Sequence, residues 1–166
     1  MPLISCQRHL FDIPEDITYL NCAYMSPLMK HVAEAGNAAN QAKVHPWTVS
    51  PEDFFTKSES TRALAGRVID ASMENMALVP AVSYALATAA LNLPLERGQN
   101  IIALEDQFPS NIYIWKERAA ETDAEFRLLP KRQDGDWTAT ILASIDAKTA
   151  IVALPHCHWT DGALID

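Results

Sequence analysis

An α/β fold with a mostly parallel sheet is the class predicted for this 166-residue chain, and three features predict it. Short runs rich in Ile, Val, Leu and Phe recur at residues 100–104, 125–129 and 149–154. A parallel strand is covered on both faces, so it reads as a continuous apolar run of this kind. Between the runs lie stretches with helical periodicity, and strands alternating with helices predict a parallel sheet. Finally, 49% hydrophobic residues over this length are enough to fill a core.

From the N-terminus, residues 12–27 read as an extended arm. Residues 28–43 and 51–71 read as two amphipathic helices expected to flank the sheet. They are separated by His45-Pro46-Trp47 and by Ser50-Pro51, because the residue before a proline is pushed out of helical backbone. Residues 76–79 form a first short apolar run, expected as a strand that ends at Val79 and turns through Pro80 into an Ala/Leu-rich helix at 83–93. Strand 100–104 is followed by helix 109–121, which places Ile112, Trp115 and Ala119 on one face. Strand 125–129 leads to helix 138–147, and strand 149–154 leads into a polar turn ending at Gly162. A strand with nothing to cover its edge implies a larger fold, so the chain is expected to be a truncated or split part of one. Only five glycines occur, and no repeat, low-complexity tract or Gly/Ser linker marks an internal boundary. The chain is therefore expected as one partial domain, with residues 1–71 forming the arm and helices and residues 72–166 the strand–helix portion.

Charge and cysteine usage narrow the function. Thirteen Lys and Arg against 21 Asp and Glu give a net charge of −8, which lacks the basic footprint of a nucleic-acid binder. The three cysteines, Cys6, Cys22 and Cys157, are odd in number and have no CxxC spacing, against a disulfide scaffold or a zinc ribbon. No signal peptide is legible at the start, where Ser5, Gln7, Arg8 and His9 interrupt the apolar residues, so a cytoplasmic protein is expected. Residues 75–95 carry no charged residue or histidine and reach the length of a membrane span. Pro80, Ser83, Tyr84, Thr88, Asn92 and Pro94 break that stretch into strand, turn and buried helix, so no membrane association is expected.

Three polar segments follow apolar runs and carry the candidate chemistry. The turn at Pro80-Ala81-Val82-Ser83 opens a helix, whose free N–H groups and dipole suit a phosphate; the alternative is that Ser83 only caps the helix. Neither a GxGxxG nor a GxxxxGK[ST] motif accompanies it. After the next strand, Phe108 is suited to stack on a flat ring and Ser110 or Asn111 to hydrogen-bond its substituents, or else Phe108 packs as a core or staple residue. The third segment runs from His156 to Asp161. Adjacent residues of an extended chain point to opposite faces, so His156, Cys157 and His158 cannot all reach one metal ion, and Cys157 has no evident base. Three such loops at one sheet edge suit a phosphorylated aromatic cofactor.

Four ordered stretches carry a family resemblance: Tyr19-Leu20-Asn21-Cys22-Ala23, Val79-Pro80-Ala81-Val82-Ser83-Tyr84-Ala85, Phe108-Pro109-Ser110-Asn111-Ile112-Tyr113 with Trp115, and His158-Trp159-Thr160-Asp161-Gly162. In this order they resemble the first half of class V aminotransferase-like enzymes, a group that includes cysteine desulfurases, selenocysteine lyases, kynureninases and isopenicillin-N epimerases. The resemblance implies the N-terminal part of the fold type I large domain and pyridoxal phosphate as cofactor. It implies that Val82 and Ser83 hold the phosphate and that Phe108 stacks on the pyridine ring, where many desulfurases use His. Ser110 and Asn111 would lie beside the cofactor, Trp159 or Thr160 near its phenolic oxygen, and Asn21 and Ala23 where the substrate carboxylate enters.

The family also needs a Schiff-base lysine and an acidic partner for the pyridine nitrogen, both on later strands. Lys30, Lys43, Lys57, Lys116, Lys131 and Lys148 all read as surface residues, so covalent attachment is not expected here. The resemblance thus implies part of an enzyme acting on an amino acid by an aminotransferase, lyase, desulfurase or epimerase reaction. The alternative is a catalytically inactive truncated or split module. A homodimer or a complementary C-terminal half is the implied partner.

Overall fold

A computed structural model describes residues 4–22, 24–131 and 136–166. They form two compact units, Met1–Met76 and Ala77–Asp166.

The first unit is built from two helices and a curled arm. Helices α1 (Lys30–Ala42) and α2 (Asp53–Val68) start and end within three residues of the sequence expectation, and the His45-Pro46-Trp47 segment is a short 3-10 turn, Pro46–Thr48. Among its described residues the arm forms no strand; the Arg8 guanidinium donates to two of its carbonyls, those of Pro14 (2.6 Å) and Ile17 (3.0 Å). Arg62 does the same for the segment after α2. Its Nε donates to the Met76 carbonyl (2.7 Å) and its Nη2 to the Met73 carbonyl (2.9 Å), while Nη1 meets both oxygens of Glu59 at 2.8 Å. The chain turns back so closely after α2 that a Cβ on Gly66 would lie 2.5 Å from the Ala71 carbonyl oxygen, which is why glycine stands there.

That turn also corrects one expectation. Residues 76–79 are not a strand: the Met76 carbonyl is taken by Arg62, and Leu78 and Val79 are exposed. A local apolar run becomes a strand only where a ladder partner is available, and none among the described residues reaches this one.

The second unit is a three-stranded parallel sheet with helices on both faces. Helix α3 (Val82–Asn92) precedes β1 (Asn100–Leu104), helix α4 (Tyr113–Glu121) joins it to β2 (Glu125–Leu129), and helix α5 (Trp137–Ser144) leads to β3 (Thr149–Val152). The strand order is β2-β1-β3, so β1 is central and buried at every position. Alternation along β1 sends Ile101 into one core cluster, with Ala90 of α3 and Trp115 and Ala119 of α4, and Ile102 and Leu104 into the other, with Trp137 and Ile141 of α5. The expected helix at 109–121 is divided in two. Pro109–Asn111 is a 3-10 turn, and Ile112, with φ −123°, separates it from α4. No helix among the described residues is long and apolar enough to cross a membrane.

The starts of the strands are tied by charge. Arg127 on β2 reaches Asp146, just before β3, at 2.7 Å and Glu125 at 2.8 Å, and Asn100 of β1 donates to Asp146 at 3.0 Å. The Arg127 guanidinium, followed by the Lys148 N–H and the Asn100 carboxamide, holds the Asp146 carboxyl well below the usual carboxylate range. A carboxyl depressed in the folded state stabilises at neutral pH and loses that contribution as the pH falls below about 4. We therefore expect the urea midpoint of Asp146→Asn to lie below that of the wild type near neutral pH and to converge with it in acid. Parallel urea curves for the two proteins across that range check this, and a difference that stays constant would contradict it.

Candidate functional site

The order β2-β1-β3 creates a switch point, because the chain leaves β1 toward one side for β2 and returns on the other for β3. Loops diverging from neighbouring strands open a crevice at their carboxyl ends, where ligands of open α/β sheets sit. Here the loops after β1 and β3 enclose a cavity of about 360 Å³. Of the residues singled out in the sequence, Val82, Phe108, Ser110, Asn111 and Trp159 line it. Ser83 instead borders an adjoining hollow of about 340 Å³ that shares Ser110 and also carries Glu117. Thr160 lines neither; its hydroxyl bonds His158 Nδ1 at 2.9 Å. Asn21 lies in the first unit, exposed, with its carbonyl accepting the Met25 N–H at 3.0 Å, and Ala23 lies outside the described residues.

The aromatic wall is fixed by hydrogen bonds as well as packing. Phe108 and Trp159 meet edge to face with centroids 5.5 Å apart, the arrangement their quadrupoles favour. The Trp159 indole N–H is spent on the Asp106 carbonyl at 2.5 Å. Phe108 remains 46% exposed and presents an open apolar surface. On the opposite side α3 begins at Val82 with no side-chain cap, since its N-cap residue is Ala81. Ser83 is thus the second helical residue and not the cap; the Tyr84 N–H already bonds the Ala81 carbonyl at 3.1 Å, which leaves the Val82 and Ser83 N–H groups as those without an intrahelical partner.

Asn111 is more committed than the sequence suggested. Its Nδ2 donates to the Ala153 carbonyl at 3.1 Å and its Oδ1 accepts the Trp115 indole N–H at 2.9 Å. The orientation is unambiguous, because a carbonyl can only accept and an indole can only donate.

Other wall residues were not singled out. Leu86 lies one helical turn beyond Val82, an i,i+4 relation that could have flagged it. Gln107 is 7% exposed; its Oε1 accepts the Phe108 N–H at 2.9 Å, while Nε2 has no partner among the described residues. Cys157 also reaches the cavity, whereas His156 is exposed and His158 buried, so the three do not converge. No cluster of three or more metal-ligating side chains occurs among the described residues. Asp161 is paired with Lys131, which together with the Ala163 N–H holds its carboxyl below the usual range. A larger hollow of about 390 Å³ lies in the first unit, walled mainly by Ile13, Pro14, Ile17, Tyr19 and Met25. It sits at no strand end and gathers few polar groups, so the crevice at the switch point is the better candidate.

The family model for aminotransferase class-V matches residues 19–166. This chain belongs to that family. Among curated members, an uncharacterized aminotransferase, YcbU of Bacillus subtilis (strain 168), is 23% identical over 96% of this chain and 42% of its own length. A cysteine desulfurase of Cronobacter sakazakii (strain ATCC BAA-894) is 29% identical over 86% of the chain and 37% of its own length. The chain therefore spans about two fifths of these relatives. Among solved structures, a mutant of C-DES with glycine covalently linked to its PLP cofactor aligns at TM-score 0.80 and 20% identity, covering 97% of this chain and 43% of its own. Apo cysteine desulfurase of Thermococcus onnurineus NA1 aligns at 0.79 and 19% identity, covering 96% and 41%. These likenesses establish the family's α/β scaffold for the chain, with the parallel sheet and flanking helices as the sequence predicted.

Proposed function

We propose that this chain is the cofactor-holding N-terminal part of a pyridoxal-phosphate enzyme that acts on an amino acid. The observation that carries the reading is the crevice at the β1/β3 switch point, walled by an open phenyl face and bordered by an uncapped helix N-terminus, in a member of the class-V aminotransferase family. The residues suit the group. Phe108 offers a surface to a pyridine ring, Ser110 a hydroxyl, and the N–H groups of Val82 and Ser83 a partner for phosphate. Glu117 beside Ser83 disfavours the phosphate on that side, so the Val82 side of the helix is the better seat.

When bound, pyridoxal phosphate supplies an electron sink for bond breaking at an amino acid's α-carbon. The contribution of this chain is to orient the ring, to exclude water with Phe108, Trp159, Leu86 and Leu154, and to hold the phosphate at α3. The cavity's lining contains no lysine, and Lys131 is engaged with Asp161. The chain is accordingly read as holding the group without a covalent link; a binding module without catalysis is the second reading, favoured by that same lining. A second copy or a complementary half is the proposed partner, and the cytoplasm, where the three exposed thiols would stay reduced, the proposed location.

Pyridoxine 5′-phosphate, which has no aldehyde, tests the reading by calorimetric titration of the 166-residue chain. Binding is expected to weaken about tenfold in Phe108→Ala, the worth of one aromatic stacking contact. Equal displacement by inorganic phosphate, or unchanged affinity in Phe108→Ala, would remove the aromatic site. Borohydride reduction with pyridoxal phosphate is expected to label no single lysine stoichiometrically.

A further inference from the structure

The loops after β1 and β3 are joined by two consecutive side chains that donate to two consecutive carbonyls. His158 Nε2 lies 3.1 Å from the Glu105 carbonyl oxygen, and Trp159 Nε1 lies 2.5 Å from that of Asp106. Since a carbonyl only accepts, His158 Nε2 carries a proton, and Nδ1 lies 2.9 Å from the Thr160 hydroxyl. His158 is 1% exposed, and its ring stacks on Trp137 of α5, with centroids 5.2 Å apart and planes 16° from parallel. Its own backbone closes the loop, with the His158 N–H on the Ala163 carbonyl and the Gly162 N–H on the His158 carbonyl, both at 2.8 Å. Asp106, held at φ 53°, sets the turn from which Phe108 projects two residues later.

We propose that His158 is a positioning residue: with Trp159 it latches the loop after β3 to the turn after β1, and so fixes the aromatic shelf formed by Phe108. The inference rests on the reading that this shelf receives a pyridine ring. His158 itself touches no ligand. It anchors the turn at Glu105, which brings the Trp159 indole onto Asp106 and sets the Trp159 edge against Phe108. The stack on Trp137 prevents the imidazole from rotating away. A buried side chain with both ring nitrogens in use is costly to assemble, and its position between the two loops gives it leverage on the cavity wall.

The test uses the full chain and two readouts. Exchange of the Trp159 indole N–H, followed by NMR without ligand, reports the latch itself. It is expected to be about tenfold faster in His158→Phe, which keeps the stack but cannot donate, and to return toward wild type in His158→Gln, which restores a donor. Pyridoxine 5′-phosphate then reports the shelf. His158→Phe is expected to bind about tenfold more weakly with a reduced induced circular dichroism of the bound ring, and His158→Gln is expected to recover both. A merely structural histidine would lower the melting temperature and leave that dichroism unchanged. If His158→Phe does not fold, Trp159→Phe carries the same ligand test, because it keeps a ring beside Phe108 and loses only the Asp106 bond. Unchanged exchange and unchanged dichroism would overturn the proposal while leaving the cofactor site standing. A wild-type chain that binds no pyridoxine phosphate would instead remove the site, and the exchange experiment alone would then decide the latch.

Discussion

Trp137→Ala is expected to lower the unfolding free energy by about 3–5 kcal/mol, the usual cost of emptying a buried aromatic site. Trp137 is 2% exposed and lies at the start of α5, where it joins the core cluster of Ile102, Leu104, Leu129 and Ile141 and covers the face of His158. Removing it takes away both the cluster's largest side chain and the surface that keeps the imidazole in place. For a domain stable by about 5–15 kcal/mol, that is a large share of the total. Trp137→Phe separates packing from polarity. The indole N–H has no hydrogen-bond partner among the described residues, so a phenyl ring loses volume but also removes an unpaired buried donor. We expect Trp137→Phe to cost about 1 kcal/mol, well under the alanine value. Urea unfolding of the three proteins decides it, and equal losses in the two variants would show that the indole nitrogen does make a hydrogen bond.

What was legible in the sequence depended on how local its cause is. Strand β1 could be read directly because it is central, and coverage on both faces demands an unbroken apolar run. Trp115 and Ala119 could be placed in the core because they lie one turn apart on the same helix, and both are buried. Residues 76–79 show the same local pattern as β1 and still failed, since a strand also needs a neighbour and no local signal supplies one. The start of α3 was found to within one residue, but the cap assignment was not, because Ser83 at the second position and Ser83 as N-cap have the same composition.

The candidate site divides in the same way. Phe108 was singled out from its residue type and its place after a strand, and Trp159 through the family resemblance; both line the cavity. The bonds that orient them were out of reach, because the His158 and Trp159 partners are carbonyls 53 residues earlier in the chain. A carbonyl carries no residue identity, so no sequence pattern announces it. Asn111 is the sharpest instance, since its residue type suggested a ligand contact while its partners lie inside the protein.

Asn111→Ala is accordingly expected to destabilise the chain by about 2–4 kcal/mol, a loss that a residue serving only a bound ligand would not cause. The substitution strands two groups at once: the indole N–H of Trp115, which is 3% exposed, and the carbonyl of Ala153, 42 residues further along. Leaving a buried donor or acceptor unpaired costs about 1–3 kcal/mol each. The effect should reach the site through geometry, because Asn111 ties the start of α4 to the carboxyl end of β3, and Ala153 also donates to Ile102 at 2.8 Å. Asn111→Asp sharpens the test. It keeps an acceptor for Trp115 but sets a carboxylate against the Ala153 carbonyl, where only a donor belongs. At neutral pH it should cost at least as much as alanine. Burial beside a carbonyl raises the pKa of the new carboxyl above its unfolded value, so the protonated form restores the donor and stability returns as the pH falls through that raised pKa. The Asn111→Asp chain should therefore gain on Asn111→Ala in acid, as read by urea midpoints at matched pH. If both substitutions leave the midpoint where it is and weaken only pyridoxine phosphate binding, then Asn111 is a ligand contact and the bridge between α4 and β3 is not what holds this edge of the sheet.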